Sequence, residues 1–237
     1  MKKVMISGGS SGLGRGLVDY LLERDYEVIS FARRDAEVSK ISEEYSDKWT
    51  HLSGIDVSNS EDLDKLKPYL LDCEGLINNV GMAYDGILST QGLGSIENMI
   101  NINLTSVLYL TKLWLRARMS KGKKGSCVSI SSIISERGFS GLSVYSATKG
   151  ALNSMTKSLA REMGPMKFRF NAVLPGYFES ELSKSLEESK RNQIIRRTPM
   201  GRLAKIEDIL PTIEFLLTKE SSFLTGQCIK IDGGLTV

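Results

Sequence analysis

Short apolar runs alternate with longer amphipathic stretches along the whole chain. Val4-Met5-Ile6, Tyr26 to Ala32, Trp49 to Asp56 and Gly75 to Asn78 are too short for core helices and read as buried strands. Ser126 to Ile130, Phe168 to Leu174 and Cys228 to Ile231 read the same way. Between them, Leu17 to Arg24 carries an apolar face of Leu17, Tyr20, Leu21 and Leu22. Asp35 to Tyr45, Ser60 to Leu71, Ser95 to Met119 and Lys205 to Leu217 are further helical stretches, the last with Pro211 in its first turns. Ser58 or Ser60 is the expected cap of the third helix, and Glu61, Asp62 and Asp64 suit its positive end. Leu142 to Met163 is a helix stopped by Gly164-Pro165. Ser180 to Arg196 is charged with weak apolar spacing, which predicts a substrate flap near 177–200.

Strand and helix alternate with no linker, repeat or low-complexity segment. That order predicts an α/β chain, a mainly parallel seven-stranded sheet with helices on both faces, doubly wound through right-handed crossovers. The length of 237 residues suits a single domain spanning 1–237.

Composition narrows the function classes. A net charge of +3 is too small to argue for nucleic acid. No apolar run approaches the ~18 residues that span a membrane, and the apolar stretch after Met1 is too short for a secretory leader. Three widely spaced cysteines, Cys73, Cys127 and Cys228, suit a reduced, cytoplasmic protein. The chain has one histidine, His51, and no Cys/His cluster, so neither a zinc site nor a His-based triad is expected.

Two stretches carry chemistry. Gly8, Gly12 and Gly14 lie between the first strand and its helix. Glycine permits a tight turn and a close pyrophosphate, which the free N–H groups of the helix end attract. The second strand ends in Arg33-Arg34 rather than in the acid that holds a ribose hydroxyl pair. Two guanidinium groups suit a 2′-phosphate, so NADP(H) is the expected cofactor; the alternative is a pair of solvated loop arginines beside Asp35.

The second stretch is Ser143-Val-Tyr145-Ser-Ala-Thr-Lys149. Its tyrosine and lysine are four apart and share a helix face. A phenol titrates near ~10, and an adjacent ammonium is expected to bring it toward the working range. Ser132 lies thirteen residues upstream, at the carboxyl end of the fifth strand, where ligands of parallel sheets bind. Alone, a Tyr and a Lys at this spacing are an ordinary helix pair; the dinucleotide turn in the same chain gives them weight.

Together these residues resemble the short-chain dehydrogenase/reductase family in its compact form, a Rossmann fold, nearly end to end. Ser7-Gly8 with Ser10, Ser11, Gly12, Leu13 and Gly14 is similar to the family's glycine motif, with serine for threonine. Asp56-Val57 resembles the pair that receives adenine. Asn78-Asn79-Val80-Gly81 resembles its Asn-Asn-Ala-Gly, with valine for alanine. Pro175-Gly176 matches the turn bordering the nicotinamide, and Ser180 falls where a threonine often holds the carboxamide. Ser11 stands where NADPH-preferring members often carry a base, so the cofactor assignment leans on Arg33 and Arg34.

The resemblance implies a catalytic set of Asn103, Ser132, Tyr145 and Lys149. Tyr145 would exchange a proton with the carbonyl oxygen that Ser132 also binds. Lys149 would tune Tyr145 and hold the nicotinamide ribose, and Asn103 would hold a relay water. Asp85-Gly-Ile-Leu88, Pro199-Met-Gly-Arg202 and the tail through Asp232-Gly-Gly234 are similar to those of 3-oxoacyl-[acyl-carrier-protein] reductases and close carbonyl reductases. The implied partner is an acidic acyl carrier protein, with Lys121, Lys123, Lys124 and Lys167 as an expected basic rim or as ordinary solvated turns. The resemblance also implies a homotetramer through the helices of Ser95 to Met119 and Leu142 to Met163. Reduction of a sugar, steroid, quinone or small ketone is the alternative within the family. A sugar-nucleotide epimerase needs a longer chain, and a non-catalytic dinucleotide sensor would have lost catalytic groups.

Overall fold

The computed structural model describes residues 2–36, 39–178 and 187–237. Seven strands form one sheet in the order β3-β2-β1-β4-β5-β6-β7, and every pairing is parallel. They are β1 Lys3–Ser7, β2 Glu27–Phe31, β3 Trp49–Leu52, β4 Gly75–Asn78, β5 Ser126–Ile130, β6 Arg169–Pro175 and β7 Cys228–Ile231. The strand order reverses between β1 and β4, and a crevice opens there at the carboxyl ends. All seven expected strands are present. The third is shorter than its apolar run because Gly54, at φ 71°, turns the chain after Leu52.

One face of the sheet is covered by α1 (Gly12–Leu22) and α9 (Ile206–Leu217), which pack Leu17, Leu21, Ile209 and Ile213 against Val4, Ile6 and Val128. The other is covered by α3 (Ser60–Asp64), α4 (Lys67–Leu70), α6 (Ser106–Met119) and α7 (Ser143–Met163). Trp114 lies fully buried there, edge-on to Phe168 and Phe170 at 5.4 and 6.2 Å between ring centres.

Several helix boundaries differ from the sequence reading. The second helix, α2, covers only Lys40–Glu44, because the Ser39 hydroxyl accepts from the Ser42 N–H and starts it there. The stretch from Ser60 splits into α3 and α4 ahead of Pro68, and its cap is Asn59, whose Oδ1 accepts from the Glu61 N–H at 2.9 Å. The long helix begins at Leu93 as α5 (Leu93–Ile100), widens into a π turn over Asn101–Thr105, and continues as α6. Within the expected flap, Glu188–Arg197 forms α8. No helix among the described residues is long and apolar enough to cross a membrane.

Candidate active site

The glycine turn leaves β1 at Ser7. A Cβ on Gly14 would sit 2.6 Å from Asn79 Nδ2, so the turn packs against the end of β4 only without a side chain there. Gly12, at φ 55°, faces open space, and Ser11 makes no side-chain cap on α1. The first N–H groups of α1 are therefore available to a pyrophosphate, and the cradle fits that group.

A cavity of about 680 Å³ runs from this turn to α7. Gly8, Ser10, Ser11, Gly12, Leu13 and Gly14 line one end, with Arg33, Arg34 and Val57 beside them. Asn79 and Gly81 line the middle, and Ser132, Tyr145, Lys149, Pro175 and Gly176 line the far end. The structure thus brings together residues that span nearly the whole chain.

Three expected site residues use their side chains on the chain itself. Ser7 is 3% exposed; its Oγ accepts from the N–H groups of Asn79 and Val80 at 2.9 and 3.1 Å, which locks β1 to the end of β4. Asp56 turns its carboxylate onto Ser58, accepting from N–H at 2.9 Å and from Oγ–H at 2.7 Å. Asn103 is fully buried. Its Oδ1 accepts from Met82 N–H, and its Nδ2 donates to Met82 O and Thr148 Oγ1. Both amide protons are spent, so the side chain anchors the strand end beside the π turn. Ser180 lies outside the described residues.

Ser132 caps the short turn after β5, where its Oγ accepts from Ile134 N–H at 3.2 Å. Burial pushes the Tyr145 phenol up, and a hydrogen bond with Ser132 pulls the other way. Lys149 is 3% exposed and donates from Nζ to the Ile130 carbonyl at 2.7 Å; burial brings its ammonium down to about 8. Its Nζ lies 5.8 Å from the centre of the Tyr145 ring. Desolvation is thus the largest influence on the phenol, with the Ser132 hydrogen bond opposing it.

The substrate end of the cavity has walls that motif reading did not name: Ile134, Leu142, Tyr177 and Phe178, with Asp85 at the rim. Apolar alternation alone does not separate such residues from core. Ile194 of α8 packs against the small core of Ile133, Ile134, Ala172, Leu174 and Leu235, the core that Leu142, Tyr145 and Tyr177 also pack against. The expected basic rim is elsewhere: Lys121, Lys123 and Lys124 precede β5 and Lys167 precedes β6, at the amino ends of the strands, opposite the cavity. Lys123 pairs there with Asp72 at 3.1 Å.

A family model described as enoyl-(acyl carrier protein) reductase matches residues 8–236. The chain belongs to the short-chain dehydrogenase/reductase family, and it is an oxidoreductase of the kind that binds a nicotinamide dinucleotide. It is 30% identical over 241 residues to the 3-oxoacyl-[acyl-carrier-protein] reductase FabG of Chlamydia pneumoniae, covering 99% of this chain and 97% of that one. Among solved structures, a short chain dehydrogenase from Leptospira borgpetersenii with bound NAD+ is 26% identical with a TM-score of 0.91, over 100% and 93% of the two chains. A gluconate 5-dehydrogenase from Burkholderia cenocepacia with NADP and tartrate is 25% identical with a TM-score of 0.90, over 99% and 95%.

Proposed function

We propose that this chain is an NADPH-dependent reductase that converts the ketone of a 3-oxoacyl thioester to an alcohol, with the acyl chain carried on an acyl carrier protein. The observation that carries the reading is the single cavity joining the glycine turn and Arg33-Arg34 to Ser132, Tyr145 and Lys149. NADPH, when bound, supplies the hydride, the one piece of chemistry that the side chains lack. Gly8 to Gly14 hold the pyrophosphate, and Arg33 and Arg34 hold the 2′-phosphate. The Asp56-Val57 turn takes the adenine, Asn79 and Gly81 form the wall, and Pro175-Gly176 borders the nicotinamide, with Ser180 assigned to its carboxamide.

The proton comes from the chain. Burial keeps the Tyr145 phenol protonated at neutral pH, so it donates to the carbonyl oxygen as charge develops there. Ser132 gives the same oxygen a second hydrogen bond. Lys149 holds the nicotinamide ribose and returns a proton to Tyr145. Asn103 acts by fixing Met82 and Thr148 beside Lys149.

The far wall supports this substrate class. Ile134, Leu142, Tyr177 and Phe178 offer apolar surface, and the charged group at the rim is the carboxylate of Asp85. That lining favours an uncharged acyl thioester over a sugar acid, whose carboxylate would face Asp85. Lys190, Arg196 and Arg197 give α8 positive charge that suits an acidic carrier.

The resemblance extends to assembly. An apolar groove of about 570 Å³ on α6 and α7, lined by Leu108, Leu115, Met119, Met155 and Leu159, supports a homotetramer joined through these helices. A reduced, cytoplasmic setting and one domain serving both cofactor and substrate complete the reading.

The test is a panel of ketones with NADPH. Carrier-bound acetoacetyl thioester is expected to turn over fastest, with the preference for the carrier weakened by salt. Turnover of gluconate-type, steroid or quinone ketones without the thioester would place the substrate elsewhere in the family.

A further inference from the structure

We infer that His51 is a latch that positions the arginine pair and so sets the choice between NADPH and NADH. This rests on the NADPH reading above and adds a residue that does not line the cavity.

The latch is a link in a hydrogen-bond chain between β2 and β3 that ends at Arg34. Trp49 Nε1 donates to Ser30 Oγ at 3.0 Å. Ser30 Oγ lies 2.8 Å from His51 Nδ1, and His51 Nε2 lies 3.1 Å from the backbone oxygen of Arg34. Indole N–H only donates and a carbonyl only accepts, so the direction is set at both ends. The Arg34 carbonyl takes the proton on Nε2, and the Ser30 hydroxyl is placed to donate to Nδ1. Ser30 and His51 each have two partners in the chain, and Trp49 and Arg34 one each.

Its footing is rigid. Ser30 is fully buried and pairs in register with His51 across β2 and β3. A Cβ on Gly9 would sit 3.0 Å from Ser30 Oγ, so the glycine turn lies directly on this serine. The Arg15 guanidinium stacks over Trp49 at 4.5 Å, bonds Asp19, and also donates to Ser39 at 2.9 Å. Arg34 is therefore tethered by His51, and Ser39 by Arg15.

The arginine side chains themselves are exposed and line the cavity. A cation on a loose loop binds phosphate weakly because ordering it costs entropy. The backbone just before is held by Ile55 N–H to Ala32 O at 3.0 Å and Gly54 N–H to Arg33 O at 3.3 Å. The hold on Arg34 O comes from a side chain, His51, that is locked on its other side by Ser30. Fixing the Arg34 peptide limits where both guanidinium groups reach, which matters to a 2′-phosphate and not to a bare ribose.

The experiment is a fluorescence titration of NADPH and NADH against the wild type, His51→Ala and His51→Gln, with thermal melts of each. In His51→Ala, NADPH binding is expected to weaken about three- to tenfold, the value of one hydrogen bond, with NADH changed less than about twofold. His51→Gln, whose amide nitrogen reaches the place of Nε2, is expected to restore most of the NADPH affinity. Equal loss for both cofactors, or no loss in a folded His51→Ala, would overturn the latch while leaving the NADPH reading intact. If the wild type binds both cofactors equally, the NADPH reading falls and the latch with it.

Discussion

Lys149 Nζ donates to the carbonyl oxygen of Ile130 at 2.7 Å, so the helix lysine closes the end of β5. Its ammonium is buried and brought down to about 8. A basic group lowered by folding is neutral in the folded chain and still protonated in the unfolded chain between about pH 8 and 10.5. The unfolded state binds more protons there, so this lysine's penalty is full below about 8 and fades as pH rises.

The comparison that isolates it is the wild type against Lys149→Met. Burial also pushes the thiols of Cys73 and Cys127 up to about 12, which lowers the stability of both proteins above about pH 9 and cancels in the difference. Between pH 7 and 10.5 the wild type should gain on the variant by up to about 3 kcal/mol in denaturant melts. A difference that stays flat with pH would show that Lys149 is not desolvated as described.

Tyr145→Phe should lower kcat by about 100- to 10,000-fold, the usual worth of a positioned proton donor. NADPH affinity measured by titration should stay within about twofold, because the phenol ring and its packing remain. Ser132→Ala should cost less, because one hydrogen bond to the oxygen is removed and the proton donor is kept. A Tyr145→Phe enzyme that retains most of its rate would remove this residue from the chemistry.

Arg33→Ala and Arg34→Ala should each weaken NADPH by about tenfold or more and leave NADH nearly unchanged, since a charge-assisted bond to the 2′-phosphate is lost. Both arginines are exposed, so the loss should shrink as salt is raised. Titrations at two ionic strengths read this directly. Losses that are equal for the two cofactors would mean that the arginines serve the loop and not the phosphate.

Leu108 is 48% exposed in the groove between α6 and α7. Leu108→Glu places a carboxylate where the proposed tetramer buries apolar surface, and light scattering should then report a smaller particle than the wild type. A wild type that is monomeric at micromolar concentration would refute the assembly outright.

The seven strands, the glycine turn and the shared helix face of Tyr145 and Lys149 are all determined by local sequence. Each follows from a period, a run length or a residue's own backbone freedom, and each lies where the pattern puts it. The motif order likewise located most of the residues that line the cavity, because strand ends in a parallel sheet converge on one edge. Tertiary structure decided what those side chains touch. Asn103 spends its amide on Met82 and Thr148, Asp56 turns onto Ser58, and Ser7 binds the end of β4 rather than the cavity. His51 reaches Arg34 only because β2 and β3 pair in the register that sets it beside Ser30. Lys149 spends a hydrogen bond on the Ile130 carbonyl and is lowered by burial, neither of which its spacing from Tyr145 foretold. Spacing fixes which face of a helix a residue occupies; hydrogen-bond partners and charge states depend on atoms brought close by packing, at sequence separations that no local pattern records.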